Sequence, residues 1–218
     1  MKLSLKAKKE RALYVLEEMA KLFPNAKSEL VNWDTPFQFL ICILLSAQTT
    51  DAMVNRVTEK LFVTYKTPED FSKANIEDLI PIVRPVNYHR NKAKYVIETA
   101  KLVIEKFNGV VPQTVEELIT LPGIGLKTAN VFLNDLYEAN TGIGVDTHVF
   151  RVSHRLGLSY GTTPEAVAKD LQQIYPQSMW SAVNNCFVLY GRYVCKARIK
   201  PEESKCVFKE FCSWCGGG

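Results

Sequence analysis

Apolar residues recur along this chain at the three- and four-residue spacing of an α-helix, and polar helix-starting signals punctuate them. Ala12, Leu13, Leu16, Met19, Ala20 and Phe23 follow that spacing, and Pro24 stops the pattern. Thr35-Pro36, Thr67-Pro68 and Thr163-Pro164 each set a capping hydroxyl before a proline at the first helical position. Thr114 with Glu117 reads as a capping box. Asn91 to Phe107 predicts an amphipathic helix closed by Gly109 and Pro112, and the apolar run Phe39 to Leu45 predicts a buried one. No segment combines alternation, β-branched enrichment and hairpin turns, so no sheet is predicted. Short connections between roughly ten helices define an all-α fold.

Composition changes this picture little. The 218 residues suit one domain or two small ones, and 47% hydrophobic residues suffice for an ordinary core. A net charge of +4 falls short of a strongly basic nucleic-acid binder. The basic residues are clustered, however: Lys2, Lys6, Lys8, Lys9 and Arg11; Arg84, His89, Arg90, Lys92 and Lys94; Arg192, Lys196, Arg198, Lys200 and Lys205. Each group fits a solvated face or a phosphate-binding footprint. No signal peptide is visible, and the longest apolar run is far below the roughly 20 residues of a membrane span. The expectation is a soluble intracellular protein without membrane contact.

The densest chemical signal is Leu121-Pro122-Gly123-Ile124-Gly125-Leu126-Lys127, followed nineteen residues after the lysine by Asp146 in Val145-Asp146-Thr147-His148. A Pro-Gly-x-Gly turn between two helical patterns makes a tight hairpin. Gly123 and Gly125 free the backbone and let a phosphate approach its N–H groups, and the positive end of the next helix adds to the attraction. Such a grip positions a protein on DNA without reading its sequence. Lys127 opposes the dipole of the helix it opens, which favours the neutral amine needed of a nucleophile. A solvated or phosphate-pairing lysine fits the same position. Asp146 reads as a helix N-cap, a role compatible with catalysis because a capped carboxylate is rigid and ionised. His148 reads as a packed or hydrogen-bonding histidine.

Four of the six cysteines, Cys195, Cys206, Cys212 and Cys215, follow C-x10-C-x5-C-x2-C in a basic, polar tail, whereas Cys42 and Cys186 read as core. Four clustered thiols point to a metal site, and disulfides are disfavoured in a reducing compartment. Both a [4Fe–4S] cluster and a structural zinc suit four thiolates.

With these pieces in order, the chain resembles the endonuclease III family of helix-hairpin-helix DNA glycosylases. The matching segments are Leu44-Leu45-Ser46-Ala47-Gln48-Thr49-Thr50-Asp51, Leu121 to Asn134, Val145 to Arg151, and Tyr190-Gly191-Arg192-Tyr193-Val194-Cys195. The resemblance covers nearly the whole chain. It implies two helical domains flanking a DNA-binding cleft. One is a six-helix domain over residues 29–139 that ends with the hairpin. The other is discontinuous, residues 1–28 with 140–218, and carries the cysteine loop. It further implies a monomer acting on double-stranded DNA with damaged bases or abasic sites, in a prokaryotic cytoplasm at the nucleoid or elsewhere inside a cell. By this resemblance Lys127 attacks the sugar C1′ of an oxidised pyrimidine nucleotide, and Asp146 assists base departure. The resulting Schiff base allows β-elimination, so the enzyme excises the base and nicks the strand. Base removal from a duplex requires flipping the nucleotide out, and Gln48 matches the residue that fills the gap. The cofactor implied is a [4Fe–4S] cluster on the four cysteines, with structural zinc as the alternative.

Two segments depart from the family pattern. Its cysteine motif is C-x6-C-x2-C-x5-C, so here the first interval is longer and the last two are exchanged. Arg198 and Lys200 fall in the loop that presents basic side chains to DNA. Val86-Asn87-Tyr88-His89-Arg90 stands where the family usually has a Gly-Leu-Tyr wedge, which sets Tyr88 at the leucine position, where intercalation, stacking on a base and packing at a helix end all fit. Two other functions compete. An adenine- or thymine-removing mismatch glycosylase of the same superfamily typically carries serine or tyrosine in place of Lys127. A non-catalytic damage sensor needs neither Lys127 nor Asp146.

Overall fold

The computed structural model describes residues 3–216. Among them eleven α-helices form and no strand: α1 (Leu5–Leu22), α2 (Pro36–Ser46), α3 (Asp51–Thr64), α4 (Pro68–Ser72), α5 (Ile76–Val83), α6 (His89–Phe107), α7 (Val115–Leu118), α8 (Leu126–Tyr137), α9 (Thr147–Arg155), α10 (Pro164–Ile174) and α11 (Trp180–Tyr193). The chain divides into two compact units. One runs to Lys27 and resumes at Glu138, and the other is Ser28–Tyr137.

The predicted threonine caps form. Thr35, Thr67 and Thr163 each accept a hydrogen bond from the amide three residues on, with proline at the first helical turn. The capping box falls elsewhere than predicted. At α7, Thr114 Oγ1 accepts from Glu117 N at 3.3 Å, but the Glu117 carboxylate takes the threonine hydroxyl rather than its backbone amide. The reciprocal pair occurs at α4, where Asp70 accepts from Thr67 N at 3.0 Å.

In the Ser28–Tyr137 unit α2 is the central helix. Nine of its eleven residues, Phe37 to Leu45, are buried. It packs on α3, α6 and α8, and Phe39 stacks on Phe132 with centroids 6.0 Å apart. Burying each such side chain contributes about 1.5–3 kcal/mol, which makes α2 the keystone of this core. The helices α4 and α5 lie against α6, and α7 against α8. Helix α6 starts at His89, two residues before the predicted Asn91. Tyr88 adopts a left-handed φ of 57°, and its carbonyl already accepts the Lys92 amide at 3.0 Å. At its other end Asn108 and Gly109 have positive φ, and Gly109 N closes the helix on Val103 O.

In the other unit α11 packs on α9 and α1, and α1 packs on α10. Tyr175 ties α1 in by donating its hydroxyl to Ala12 O at 2.9 Å. The contact of α9 with α11 is close at Gly191, where a Cβ would meet His148 Cβ at 2.7 Å. Cys42 and Cys186 are buried in their respective cores, as predicted.

Candidate functional site

The hairpin joins α7 to α8 through Leu121 to Gly125. Leu121 is 1% exposed and Ile124 4%, so two apolar side chains anchor the turn. Anything Leu121 offers a ligand comes from its backbone, whose carbonyl accepts the Ile124 amide at 3.1 Å. The two glycines differ in which of the expected properties they use, backbone freedom or open approach. Gly123 has φ +77°, and a Cβ there would lie 2.8 Å from the Tyr95 ring. Gly125 has no positive φ, and a Cβ there would meet nothing within 4 Å. Its carbonyl accepts the Ala129 amide at 3.0 Å, so it sits at the start of α8 with open space before it. Lys127, exposed, occupies the first turn of that helix.

Asp146 caps α9 in the other unit. Its Oδ1 accepts the amides of His148 at 2.8 Å and Val149 at 2.9 Å, and Oδ2 has no protein partner among the described residues. Arg151 holds this turn in place. It donates to Thr147 O (3.2 Å), Gly191 O (2.8 Å) and Cys195 O (2.9 Å), and its guanidinium meets His148 Nδ1 at 3.1 Å. Burial pushes the His148 pKa below its ordinary value, only partly opposed by the Asp146 carboxylate. A neutral ring accepting at Nδ1 from Arg151 fits that shift. One arginine thus links the aspartate turn to the first cysteine of the tail.

Three of the four tail cysteines converge. The Sγ atoms of Cys206, Cys212 and Cys215 lie within 4.8 Å of one another. The hydrogen bond from Cys206 holds the Cys212 thiol well below its ordinary pKa, while the same bond and burial push Cys206 up. Cys195 is buried in the same core but stands outside this triad, with its Sγ accepting from Arg155 at 3.4 Å. Arg155 also donates to Lys196 O and Ala197 O, stacks on Trp214 at 4.2 Å, and offers its own carbonyl to Ser213 N. Four thiols, three already within ligating reach of one point, suit a metal group. Arg198 and Lys200 are exposed, and Arg198 lines an open depression of about 490 Å³ with Lys196, Lys205 and Tyr193. Lys200 faces Glu203 at 3.9 Å.

Gln48 and Tyr88 come together within the Ser28–Tyr137 unit. Both are exposed, both carry left-handed backbone (φ 55° and 57°), and neither is glycine. Asn87 joins their loops: its Nδ2 donates to Gln48 O and its amide to Thr49 Oγ1. Lys92, read from the sequence as one of a surface basic group, is instead 4% exposed. Its ammonium donates to Leu45 O (2.7 Å), Ala47 O (2.6 Å) and Thr49 Oγ1 (3.1 Å). Burial pushes its pKa down to about 8, so at neutral pH it remains largely an ammonium with three donors for three oxygens. The sequence held a signal for this: Lys92 falls four residues before Val96, on the stripe that Val96, Ala100 and Val103 bury.

A helix-hairpin-helix with a lysine behind it and a capped aspartate ahead defines a class of DNA repair protein. Residues 41–177 match the HhH-GPD superfamily of base excision DNA repair proteins. The chain is 42% identical over 200 residues to Endonuclease III of Rickettsia conorii, spanning 92% of this chain and 94% of that one. It is 40% identical to Endonuclease III of Bacillus subtilis (91% and 90% covered) and 35% identical to that of Escherichia coli (94% and 96%). The chain belongs to the endonuclease III family. A solved trapped endonuclease III–DNA covalent intermediate superposes with a TM-score of 0.87 at 41% identity, over 94% of this chain and 95% of that one. A thermostable thymine-DNA glycosylase shares the fold, with a TM-score of 0.83 at 23% identity and 96% and 98% covered. The chain is accordingly a base excision repair enzyme of the bifunctional glycosylase/lyase kind. Among the described residues no helix is long and apolar enough to cross a membrane.

Proposed function

We propose that Lys127 is the nucleophile and Asp146 the charge-stabilising carboxylate of this glycosylase/lyase, and that its substrates are oxidised pyrimidines in duplex DNA. What supports this is, in one unit, an exposed amine in the first turn of α8 and, in the other, a carboxylate fixed at the start of α9 by two amide donors to its Oδ1. Deprotonated Lys127 forms a bond to C1′ as the C1′–base bond breaks, and the base leaves with the electron pair and takes up a proton. Asp146, fixed in place by its two amide donors, stabilises the positive charge that develops on the sugar. Opening of the sugar gives a C1′=N imine to Lys127. Loss of a C2′ proton then expels the 3′ phosphate and nicks the strand.

The open space before Gly125 gives a backbone phosphate access to the amides at the start of α8. Gln48 and Tyr88 are the side chains that enter the duplex when the nucleotide is extruded, and Arg198 and Lys200 contact the backbone. Cys195, Cys206, Cys212 and Cys215 would hold a [4Fe–4S] cluster, with structural zinc as the alternative. Bound there, either group ties the tail to the α9–α11 core through four thiolates.

Borohydride reduction tests the chemistry. The protein, incubated with duplex DNA carrying thymine glycol or an abasic site, is expected to form a covalent adduct that Lys127→Ala does not form. Undiminished trapping by Lys127→Ala would exclude Lys127 as the nucleophile.

A further inference from the structure

The Ser28–Tyr137 unit contains a buried cation that the proposed chemistry does not use. Lys92 lies on α6, one turn beyond Tyr88, and points its ammonium at the loop that carries Gln48. Two of its three acceptors, Leu45 O and Ala47 O, belong to the C-terminal end of α2, where carbonyls have no partner within the helix. A cation there also meets the negative end of the α2 dipole. The third acceptor, Thr49 Oγ1, receives the Asn87 amide as well, and Asn87 Nδ2 donates to Gln48 O. Five hydrogen bonds therefore join residues 45–49 to residues 87–92, and these two stretches carry the exposed side chains of Gln48 and Tyr88.

Holding two non-glycine residues in left-handed backbone costs about 1 kcal/mol or more each, so an isolated loop would relax out of it. Here the surrounding bonds fix it. The φ of Gln48 is set between Ala47, whose carbonyl Lys92 holds, and Thr49, whose hydroxyl Lys92 and Asn87 share. The φ of Tyr88 follows directly on Asn87 and precedes the first turn of α6. The backbone at both positions is therefore set before DNA arrives.

We infer that Lys92 and Asn87 act as positioning residues that lock the Gln48 and Tyr88 loops into one rigid two-pronged probe, and that this lock governs extrusion of the damaged nucleotide from paired DNA rather than the bond-breaking step. The inference rests on the assignment of Gln48 and Tyr88 to the DNA face. Asn87 braces the Gln48 loop through its side-chain bond to Gln48 O, a bond glycine at this position could not make. Lys92 supplies the deeper bond set, anchored on α2.

Extrusion and chemistry separate when the same lesion is offered in two settings. In a fully paired duplex the nucleotide must be unstacked and unpaired, whereas in an unpaired bubble that cost is small. Single-turnover excision of thymine glycol is measured in both settings for the wild-type protein, Lys92→Met and Asn87→Gly. Lys92→Met keeps the length of the stem and removes the donors. The ratio of paired to bubble rates is expected to fall roughly tenfold in Lys92→Met and roughly threefold in Asn87→Gly. Asn87 is a surface residue, so its variant tests the lock even if Lys92→Met does not fold. An unchanged ratio in Asn87→Gly, or equal losses in both settings for both variants, would overturn the positioning role. A wild-type protein inactive in both settings would instead overturn the assignment of oxidised pyrimidines as its substrates.

Discussion

Substituting the two hairpin glycines one at a time separates folding from DNA binding. At Gly125 the structural cost is small. Alanine at a helix-starting position is less favourable than glycine by about 0.5–1 kcal/mol, and the stiffer unfolded chain returns about 0.4–1 kcal/mol. The new methyl meets no protein atom within 4 Å, so Gly125→Ala is expected to melt within a degree or two of wild type. At Gly123 the left-handed backbone costs about 1–2 kcal/mol for a residue with a Cβ, and the 2.8 Å approach to Tyr95 adds overpacking. Net destabilisation of about 2–3 kcal/mol lowers Tm by roughly 5 °C or more. Binding is expected to reverse the order of interest. The methyl of Gly125→Ala fills the space in which a phosphate oxygen would meet the amides of α8. Losing a charge-assisted bond of about 1.5–3 kcal/mol weakens binding roughly tenfold to a hundredfold. Thermal denaturation gives the first quantity. Fluorescence anisotropy on a duplex with a stable abasic-site analogue, across a salt series, gives the second. The slope of log affinity against log salt should shrink by about 0.9 for one lost phosphate contact. A fully stable Gly125→Ala protein that binds this duplex with wild-type affinity and salt dependence would refute the proposed phosphate grip.

The other expectations are direct. Asp146→Asn keeps the oxygen that caps α9, so it should melt close to wild type yet excise far more slowly, whereas Asp146→Ala should also lose about 1 kcal/mol of stability, read by denaturant unfolding. His148 has a folded pKa below its unfolded 6.5, so the unfolded chain gains the proton first; stability should hold above pH 6.5, fall as pH drops below it, and do so less in His148→Gln, with titration of the ring followed by NMR. Anaerobically purified protein should contain iron and acid-labile sulfide that Cys206→Ala loses; a colourless protein with stoichiometric zinc would assign the zinc alternative instead.

Helix starts were legible wherever a short polar side chain and a proline coincided, as at Thr35, Thr67 and Thr163, because both act through local geometry. The start of α6 was not legible, since it depends on Tyr88 taking a backbone conformation for which tyrosine has no intrinsic preference. The mistaken capping box at Thr114 has a similar origin. The pattern fixes which groups are within reach, but not whether the Glu117 carboxylate chooses the hydroxyl or the amide. The lysine of the hairpin and the capped aspartate stood out because glycines and a cap surround them. Lys92 did not stand out, because a lysine beside Arg90 and Lys94 reads as surface until its helical phase is compared with that of Val96 and Ala100. The hydrogen-bond role of Arg151, linking residues 147–148 to Gly191 and Cys195, spans more than forty residues and has no local signature at all.

Apart from Arg198 and Lys200, the residues proposed to act on DNA share one kind of place in the fold. Gln48 follows the C-terminus of α2, Tyr88 precedes α6, Gly125 and Lys127 open α8, and Asp146 caps α9. Helix interiors satisfy their own backbone groups and bury one face, which leaves little polar capacity to spend on a ligand. Helix ends carry unpaired amides or carbonyls, concentrated partial charge and freedom from helical dihedrals. An all-α protein that grips a polyanion therefore uses its helix ends, and it must rigidify them with something other than the helices themselves. Here the rigidifying groups are two cations aimed at carbonyls: Lys92 on the end of α2, and Arg151 on Gly191 and Cys195 beside the Asp146 turn. Each carries a full charge but neutralises no phosphate. The net charge of +4 therefore overstates what is available to phosphate, because part of the positive charge is spent on the carbonyls of the protein itself.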